Sequence, residues 1–217
     1  MPLVPARLNA AMHPEVVTVF FDFLCPYAWR GAEVAEMVGA KLGIRFEWSH
    51  FSLYQANHDA DDGWQLWNEP LKETSNSGSR GLLPFLASIA AARQGSGAHD
   101  AFRLKLLRLR HVEHQPFHMS TIREAAQAAG LHLAAFERDL ADPEARTELA
   151  RAHHRAVAEQ VAATPTLRFA NGDMAYLRIR EVPGDVEEAV RLFERVRDLL
   201  SDHPYLETLR RPRHAGN

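Results

Sequence analysis

Cysteine is nearly absent from this sequence, because Cys25 is the only one among 217 residues. A chain with one cysteine cannot form a disulfide within itself, and it cannot supply the several thiolates of a structural zinc site. Thiol chemistry in this protein would have to recruit a second thiol from another molecule.

The sequence also lacks a long apolar run and an excess of charge of either sign. No segment reaches the ~18 consecutive apolar residues of a transmembrane helix, and 25 basic residues stand against 28 acidic ones. We therefore expect neither a membrane protein nor a dedicated nucleic-acid binder. The N-terminus holds no continuous apolar stretch of the ~7–15 residues typical of a secretory signal. We expect a flexible tail over residues 1–15 and a cytoplasmic location.

The first part of the chain predicts a strand, a helix and a second strand. Residues 16–23 (VVTVFFDF) form a nearly unbroken apolar and β-branched run, which is typical of a strand covered on both faces. Pro26 comes at the first turn of a predicted helix that ends at Gly43. Residues 44–51 alternate apolar and polar, as a strand does. We expect the two strands to be parallel, in a right-handed βαβ unit.

The middle of the chain predicts helices almost throughout, from residue 66 to residue 160. Glycines and prolines separate the individual segments. The predicted helices are residues 82–93, 101–111, 120–129, 133–140 and 143–160.

Sheet patterns return near the end of the chain, at residues 164–169 and 174–179. Asn171-Gly172 between them predicts a hairpin turn with positive φ at both positions. Asp185 with Glu188 three residues later resembles a capping box, which opens a last amphipathic helix.

This order of elements, with Cys-Pro directly after the first strand, resembles the thioredoxin fold of the DsbA-like superfamily. Residues 21–29 (FDFLCPYAW) are similar to the active-site segment of that superfamily, and residues 163–166 (ATPT) to its cis-proline loop. Among its members the sequence most resembles FrnE-like thiol oxidoreductases. Kappa-class glutathione transferases and 2-hydroxychromene-2-carboxylate isomerase are more distant.

The resemblance implies an α/β protein, a thioredoxin fold with a large all-helical insertion. The expected parts are a first thioredoxin half, a helical insertion domain, a second thioredoxin half and a C-terminal tail. Their expected bounds are residues 16–65, 66–160, 161–202 and 203–217.

Cys25 is the candidate catalytic residue. A thiol at a strand-to-helix junction lies where unpaired N–H groups and the positive end of the helix converge. These donors favour the thiolate, which is the form that attacks disulfides and electrophiles. Since Pro26 has no N–H, we expect the amides of Tyr27 and Ala28 to point at the sulfur. The alternative is a small buried side chain without chemistry.

Ala28 is the main departure from the superfamily pattern, because dithiol members carry their second cysteine at this position. Its absence leaves monothiol chemistry, in which Cys25 takes a small thiol from a mixed disulfide and passes it to a second small-thiol molecule. The resemblance then implies a thiol–disulfide oxidoreductase with no tightly bound cofactor. Its co-substrate is glutathione or an equivalent low-molecular-weight thiol, and its substrate a disulfide or an electrophile. A homodimer is compatible with this interpretation.

Two other functions stay open at this stage. The kappa transferases and the isomerase typically carry serine at the position of Cys25, where it stabilises the thiolate of glutathione. The chain could therefore be a transferase-like or isomerase-like enzyme in which Cys25 only orients a small thiol. It could also be a thioredoxin-fold binding module without a catalytic cycle.

The resemblance also implies a substrate-binding site around Cys25. It consists of Pro26 and Tyr27 from the first motif and of Thr164 and Pro165 from the second. We expect the Thr164–Pro165 peptide bond to be cis and the proline ring to lie ~4 Å from Cys25, in van der Waals contact. The backbone of Thr164 would pair with an extended thiol peptide as a short extra strand.

Several histidines raise the alternative of a metal site. His111, His114 and His118 stand three and four residues apart, but Pro116 interrupts any helix that would align them, so we expect a polar loop and no metal. The pair His153-His154 lies on a predicted helix, with one ring facing solvent and a role near the active site left open.

Aromatic residues next to the two motifs are candidates for the walls of an apolar substrate groove. Those near the first motif and the second strand are Tyr27, Trp29, Phe51 and Trp64. We assign none of the four a catalytic role.

Overall fold

The computed structural model describes residues 14–58, 63–71 and 80–211. Most of the predicted N-terminal tail and the end of the predicted C-terminal tail lie outside these residues.

Four strands and eight α-helices make up the described chain. In order they are β1 (Val16–Phe21), α1 (Pro26–Leu42), β2 (Arg45–His50), α2 (Leu53–Ala56), a 3₁₀ turn (Leu66–Asn68), α3 (Leu82–Ala92), α4 (Ser96–His111), α5 (Met119–Ala128), α6 (Leu133–Ala141), α7 (Glu144–Ala158), β3 (Thr166–Arg168), β4 (Met174–Tyr176) and α8 (Val186–Asp202).

The strands form one mixed sheet in the order β2-β1-β3-β4. β1 pairs with β2 in parallel and with β3 antiparallel, and β3 pairs antiparallel with β4. The predicted parallel βαβ unit is therefore confirmed, and the sheet with its helices is an α/β thioredoxin-like arrangement with a large helical part.

β1 is the central strand and is buried on both faces, as its apolar run predicts. Val17 and Val19 pack in one cluster with residues of α1 and α8. Phe20, on the opposite face, packs with Ala156 of α7 and with Val161. The alternation of side chains along a strand thus separates two helical layers, one on each side of the sheet.

The helical part also packs against the end of β1. α3 is apolar on all sides and buried from Leu82 to Ala91, as expected of a helix surrounded by other helices. Phe85 of α3 meets Phe23 edge to face at a ring-centroid distance of 5.9 Å. Phe23, Phe85 and Cys25 belong to the same buried cluster, so the helical part reaches the segment that follows β1.

The predicted hairpin is present, but its turn differs from the prediction. Only Gly172 has positive φ, at 93°. The N–H of Gly172 donates to the carbonyl of Phe169 at 3.0 Å, and the N–H of Phe169 donates to the carbonyl of Asp173 at 2.9 Å. This is a three-residue loop in which a bulge follows a type I turn, and such a loop needs one left-handed residue instead of two. The expectation for Asn171 was therefore wrong.

No helix in the described ranges is long and apolar enough to cross a membrane.

Candidate active site

Cys25 lies at the N-cap of α1, with Pro26 as the first helical residue. Its side chain is buried, with 6% of the residue exposed. The N–H of Cys25 donates to the carbonyl of Asp22 at 3.1 Å, which fixes the turn between β1 and the helix. The fold therefore places the one thiol of the chain at the strand-to-helix junction that the sequence predicts.

The second motif reaches Cys25 from the other half of the chain. The Cys25 S–H donates to the carbonyl of Thr164 across a distance of 3.3 Å. The Thr164–Pro165 peptide bond is cis, as predicted. The ring of Pro165 lies close to Gly31 of α1, where an added Cβ would come within 3.2 Å of the proline Cγ. The predicted contact between this ring and the sulfur of Cys25 stays a prediction.

The expected arrangement of amides around the sulfur is wrong. Within the described residues, the side chain of Cys25 accepts no capping hydrogen bond from the first turn of α1. The N–H of Ala28 donates instead to the carbonyl of Cys25 at 3.1 Å. The thiol is a donor in this structure, and the carbonyl of Thr164 is its acceptor.

Thr164 contributes a second polar group to this place. The residue is 2% exposed, and its Oγ1 has no hydrogen-bond partner among the described residues. An unpaired buried hydroxyl costs about 1–3 kcal/mol of stability. Its neighbour Thr166 differs, because its Oγ1 donates to the carbonyl of Ala163 at 2.8 Å.

Asp22 is a functional candidate that the sequence reasoning did not single out. Its carboxylate is fully buried and accepts two backbone N–H groups at 2.8 Å, from Leu24 and from Leu53. Burial raises the pKa of this carboxyl to about 6, although both hydrogen bonds lower it. One side chain thereby joins the loop that carries Cys25 to the start of α2. An acidic residue within an apolar run is the sequence signal that points to it.

His153 lies in the next layer, and it is buried whereas His154 is exposed. Its Nδ1 accepts the N–H of Ser52 at 3.2 Å, and its ring stacks on Phe51 at a centroid distance of 5.0 Å. Burial lowers the pKa of His153 to about 4, so the ring is neutral near pH 7. Phe51 is fully buried. The expectation that it walls a substrate groove is therefore wrong, and it is a core residue.

Tyr27 lies between two arginines at the exposed side of the site. The Cζ atoms of Arg178 and Arg30 are 4.0 and 5.4 Å from the centroid of its ring. The guanidinium of Arg178 also donates to the Tyr27 hydroxyl. Arg178 follows Leu177, whose N–H donates to the carbonyl of Pro165 at 3.1 Å.

Trp29 and His111 form a further edge of the site. Their rings stack at a centroid distance of 6.4 Å and an angle of 19°. The Nε2 of His111 donates to the carbonyl of Phe23 at 2.9 Å, and burial lowers the pKa of this histidine. Across residues 14–58, 63–71 and 80–211, no group of three or more potential ligands is arranged to hold a metal ion.

Trp64, the remaining predicted wall residue, lies beside Tyr54 of α2. The guanidinium of Arg80 lies 4.9 Å from the ring of Tyr54 and 5.0 Å from the ring of Trp64. The next residue, Gly81, has a φ of 86°, and an added Cβ there would come within 3.2 Å of Leu24. This segment therefore borders the loop that carries Cys25.

Comparison with known proteins agrees with this arrangement. The family model described as "DSBA-like thioredoxin domain" matches residues 16–184. None of the curated proteins matches the chain significantly in sequence.

Solved structures share the fold over most of the chain. A 2-hydroxychromene-2-carboxylate isomerase is 15% identical, with a TM-score of 0.59, over 89% of this chain and 100% of that one. The cytosolic disulfide reductase DsbM from Pseudomonas aeruginosa, solved with glutathione, is 16% identical with a TM-score of 0.56. The match covers 84% of this chain and 99% of that one. A thioredoxin-like oxidoreductase from Silicibacter pomeroyi is 22% identical with a TM-score of 0.52, and the match covers 85% of this chain and 87% of that one. At these identities the likeness concerns the fold.

Proposed function

Since this chain belongs to the family of DSBA-like thioredoxin domains, we propose that it is a thiol–disulfide oxidoreductase that works through one cysteine. Cys25 is the catalytic residue, and a low-molecular-weight thiol takes the place of the resolving cysteine. The observation that carries the proposal is the contact of 3.3 Å between Cys25 Sγ and the carbonyl of Thr164. It joins the only thiol of the chain to the cis-proline loop, while Ala28 occupies the position of a second cysteine.

The cycle consists of two exchange steps. The Cys25 thiolate attacks the small-thiol sulfur of a mixed disulfide, so that the bond between these two sulfurs forms and the substrate leaves as a thiolate that takes up a proton. A second small-thiol anion then attacks the same sulfur. The small-molecule disulfide leaves, and the Cys25 thiolate is regenerated. The second small-thiol molecule is the reductant, and the mixed disulfide is the oxidant.

The residues around Cys25 have binding roles in this cycle. Pro26 and Tyr27 form one side of the substrate site, and Thr164 and Pro165 form the other. In the resting structure the Cys25 S–H occupies the carbonyl of Thr164, so this hydrogen bond is lost when the thiolate forms. The unpaired Oγ1 of Thr164 is a donor that a bound sulfur or amide group can engage.

Glutathione or an equivalent thiol is the proposed co-substrate, and we propose no tightly bound cofactor. The disulfide reductase DsbM, which shares the fold, was solved with glutathione and is described as cytosolic. We place the activity of this chain in the cytoplasm for a physical reason, since a monothiol cycle consumes a reduced small thiol, which a reducing compartment supplies. We also propose that residues 66–160 act as an insertion domain that borders the cysteine.

The test is the reduction of a glutathionylated peptide by the purified protein with glutathione, coupled to glutathione reductase. We expect turnover that saturates with peptide, and loss of that turnover in Cys25→Ser. Ala28→Ser is the matched control, since it also adds one hydroxyl within the motif but leaves the thiol in place, and it should keep the activity.

Two outcomes would overturn the proposal. Turnover that survives in Cys25→Ser would show that the thiol is not the nucleophile. Absence of peptide reduction, together with conjugation of glutathione to an aromatic halide, would assign the chain to the transferase-like alternative instead.

A further inference from the structure

Two positive charges lie against the ring of Tyr27, two residues after Cys25, and neither has a negative partner among the described residues. Arg30 and Arg178 come from opposite halves of the sequence, and both guanidiniums lie within 5.4 Å of the centroid of the Tyr27 ring. Arg30 donates a hydrogen bond to the carbonyl of Ile179 at 3.5 Å, and Arg178 donates to the hydroxyl of Tyr27 and also to the side chain of Tyr176. Neither arginine forms an ion pair with a carboxylate in the described part of the chain. These hydrogen-bond partners are neutral, so no carboxylate among the described residues compensates the two charges.

The nearest carboxylate on α1 is already engaged elsewhere. Glu33 lies one turn after Arg30 and accepts two hydrogen bonds from Arg108, at 2.7 and 2.6 Å. It also accepts the indole N–H of Trp29 at 3.0 Å. Glu181 is exposed, and it forms no ion pair within the ranges that the structure covers. An anion from solution can therefore bind both guanidiniums without competing with Glu33 or Glu181.

The same two arginines are tied to both halves of the candidate active site. Tyr27 follows Cys25 by two residues, so its ring lies at the first turn of α1. On the other side, the carbonyl of Thr164 accepts the Cys25 S–H, and the carbonyl of Pro165 accepts the N–H of Leu177. Arg178 is the next residue. A ligand whose sulfur meets Cys25 would place its neighbouring groups along this edge.

We infer that Arg30 and Arg178 form an anion subsite that binds a carboxylate of the disulfide or thiol that exchanges with Cys25. The guanidinium group presents several N–H donors in a planar fork that matches a carboxylate, and hydrogen bonds between two charged groups are stronger than neutral ones. Tyr27 holds both side chains in place through its ring face and its hydroxyl. The subsite thereby selects carboxylated disulfides over neutral or cationic ones of similar size. This inference rests on the proposed function, since it names the class of substrate for the same cysteine.

The test compares three disulfides of different charge in their reaction with the reduced protein, followed by stopped flow. An aromatic disulfide with a carboxylate on each ring is the anionic probe, dipyridyl disulfide the neutral probe and cystamine the cationic probe. The variants are Arg30→Gln, Arg178→Gln and the double variant. Arg191→Gln is the matched control, because Arg191 is exposed on α8 and also lacks an ion pair within the described residues.

We expect the double variant to react at least roughly tenfold more slowly with the anionic disulfide, as loss of charge-assisted hydrogen bonds implies. The rate with the neutral disulfide should stay within about twofold, and the control should resemble the parent. In the unmodified protein, salt should weaken the preference for the anionic disulfide, and this measurement needs no variant.

Three results would overturn the inference. An equal loss with all three disulfides would show that the arginines act on Cys25 and not on the ligand. An unchanged rate with the anionic disulfide would show that they bind no carboxylate. In both cases the proposed function would stand. A parent protein that reacts with none of the three would remove the inference and the proposed function together.

Discussion

The two longest helices in the described part of the chain, α1 and α8, have 17 residues each but begin in opposite ways. At the start of α8 the side chain of Asp185 accepts the N–H of Glu188 at 2.7 Å, and Glu188 in turn accepts the N–H of Gly184 at 3.1 Å. At the start of α1 the Cys25 side chain caps nothing and donates to a residue 139 positions away.

The contrast separates a structural helix end from one that is open to chemistry. The start of α8 satisfies its own backbone and needs no ligand. The start of α1 has Pro26 without an N–H, a thiol that is not used as a cap and a nearby Thr164 hydroxyl without a partner among the described residues. A group that stabilises its own helix cannot be released for reaction without cost, whereas the sulfur of Cys25 is held by one weak hydrogen bond.

The largest expected effect comes from giving α1 a second thiol. Ala28 lies one turn from Cys25 and its N–H donates to the Cys25 carbonyl, so Ala28→Cys should form an internal disulfide. Titration of free thiols after mild oxidation should then fall to zero, while the parent keeps its single thiol.

Ala32→Cys is the matched control for this variant. Ala32 is a buried alanine of the same helix, but seven residues of helical rise place it about 10 Å from Cys25, which is too far for a disulfide. Ala32→Cys should keep both thiols after mild oxidation of the monomer. If Ala28→Cys also keeps both, the start of α1 differs from the geometry that we describe.

The next effect concerns Asp22, which connects the Cys25 loop to α2. Asp22→Asn leaves one of the two backbone N–H groups facing an amide donor, and we expect the free energy of unfolding to fall by about 1–3 kcal/mol at pH 4. The pKa of Asp22 is raised from 3.8 to about 6 in the folded protein. Its stabilising contribution is therefore complete below pH 3.8 and is lost as the pH rises through about 6.

The pH dependence of the free energy of unfolding tests this prediction. Urea unfolding at several values between pH 4 and pH 7 should show that the difference between parent and Asp22→Asn shrinks as the pH rises. A difference that stays constant or grows over this range would mean that the carboxyl is ionised throughout, contrary to its buried position.

Asp185→Ala tests the capped start of α8, which we compared with the uncapped start of α1. Loss of the N-cap of α8 should lower the free energy of unfolding by about 1 kcal/mol, since this is the usual cost of removing such a cap. The rate of disulfide exchange should stay at the parent value. A slower exchange in this variant would contradict the separation between a structural and a reactive helix end.

The last effect on stability has the opposite sign and is expected at Thr164. Thr164→Val removes a buried hydroxyl that has no partner among the described residues, so it should raise the free energy of unfolding by about 1 kcal/mol or more, and we expect it to slow exchange. Thr166→Val removes a paired hydroxyl and should cost about 1 kcal/mol without slowing exchange. Equal losses of stability in the two variants, from denaturant unfolding, would show that Thr164 Oγ1 also has a partner in solution.

The structural features that could be predicted from the sequence are those that depend on residues close together in the chain. The apolar run before Cys25, the Cys-Pro and Thr-Pro pairs and the Asp185 cap are local patterns, and each is present at its predicted place. The predicted strand ends were less accurate. The apolar run predicts a strand to residue 23, but β1 ends at Phe21, and the Asp22 carboxylate accepts the N–H of Leu24 in the loop that follows.

What the sequence could not predict are contacts between distant residues. Asp22 bonds to Leu53, 31 positions away, and Arg178 to Tyr27, 151 positions away. The same holds for the buried pair of His50 and Ser88, whose Nε2 and Oγ atoms are 2.9 Å apart. No periodicity or motif encodes these pairs, because they form only when segments that are far apart in the sequence pack together.

The most direct test of the central claim is the intact mass of the protein after treatment with oxidised glutathione. We expect the folded parent to gain the mass of one glutathione on Cys25, to lose it again when reduced glutathione is added, and Cys25→Ser to gain nothing. If the folded parent gains no glutathione while the denatured parent does, Cys25 is a buried structural residue and the monothiol cycle is contradicted.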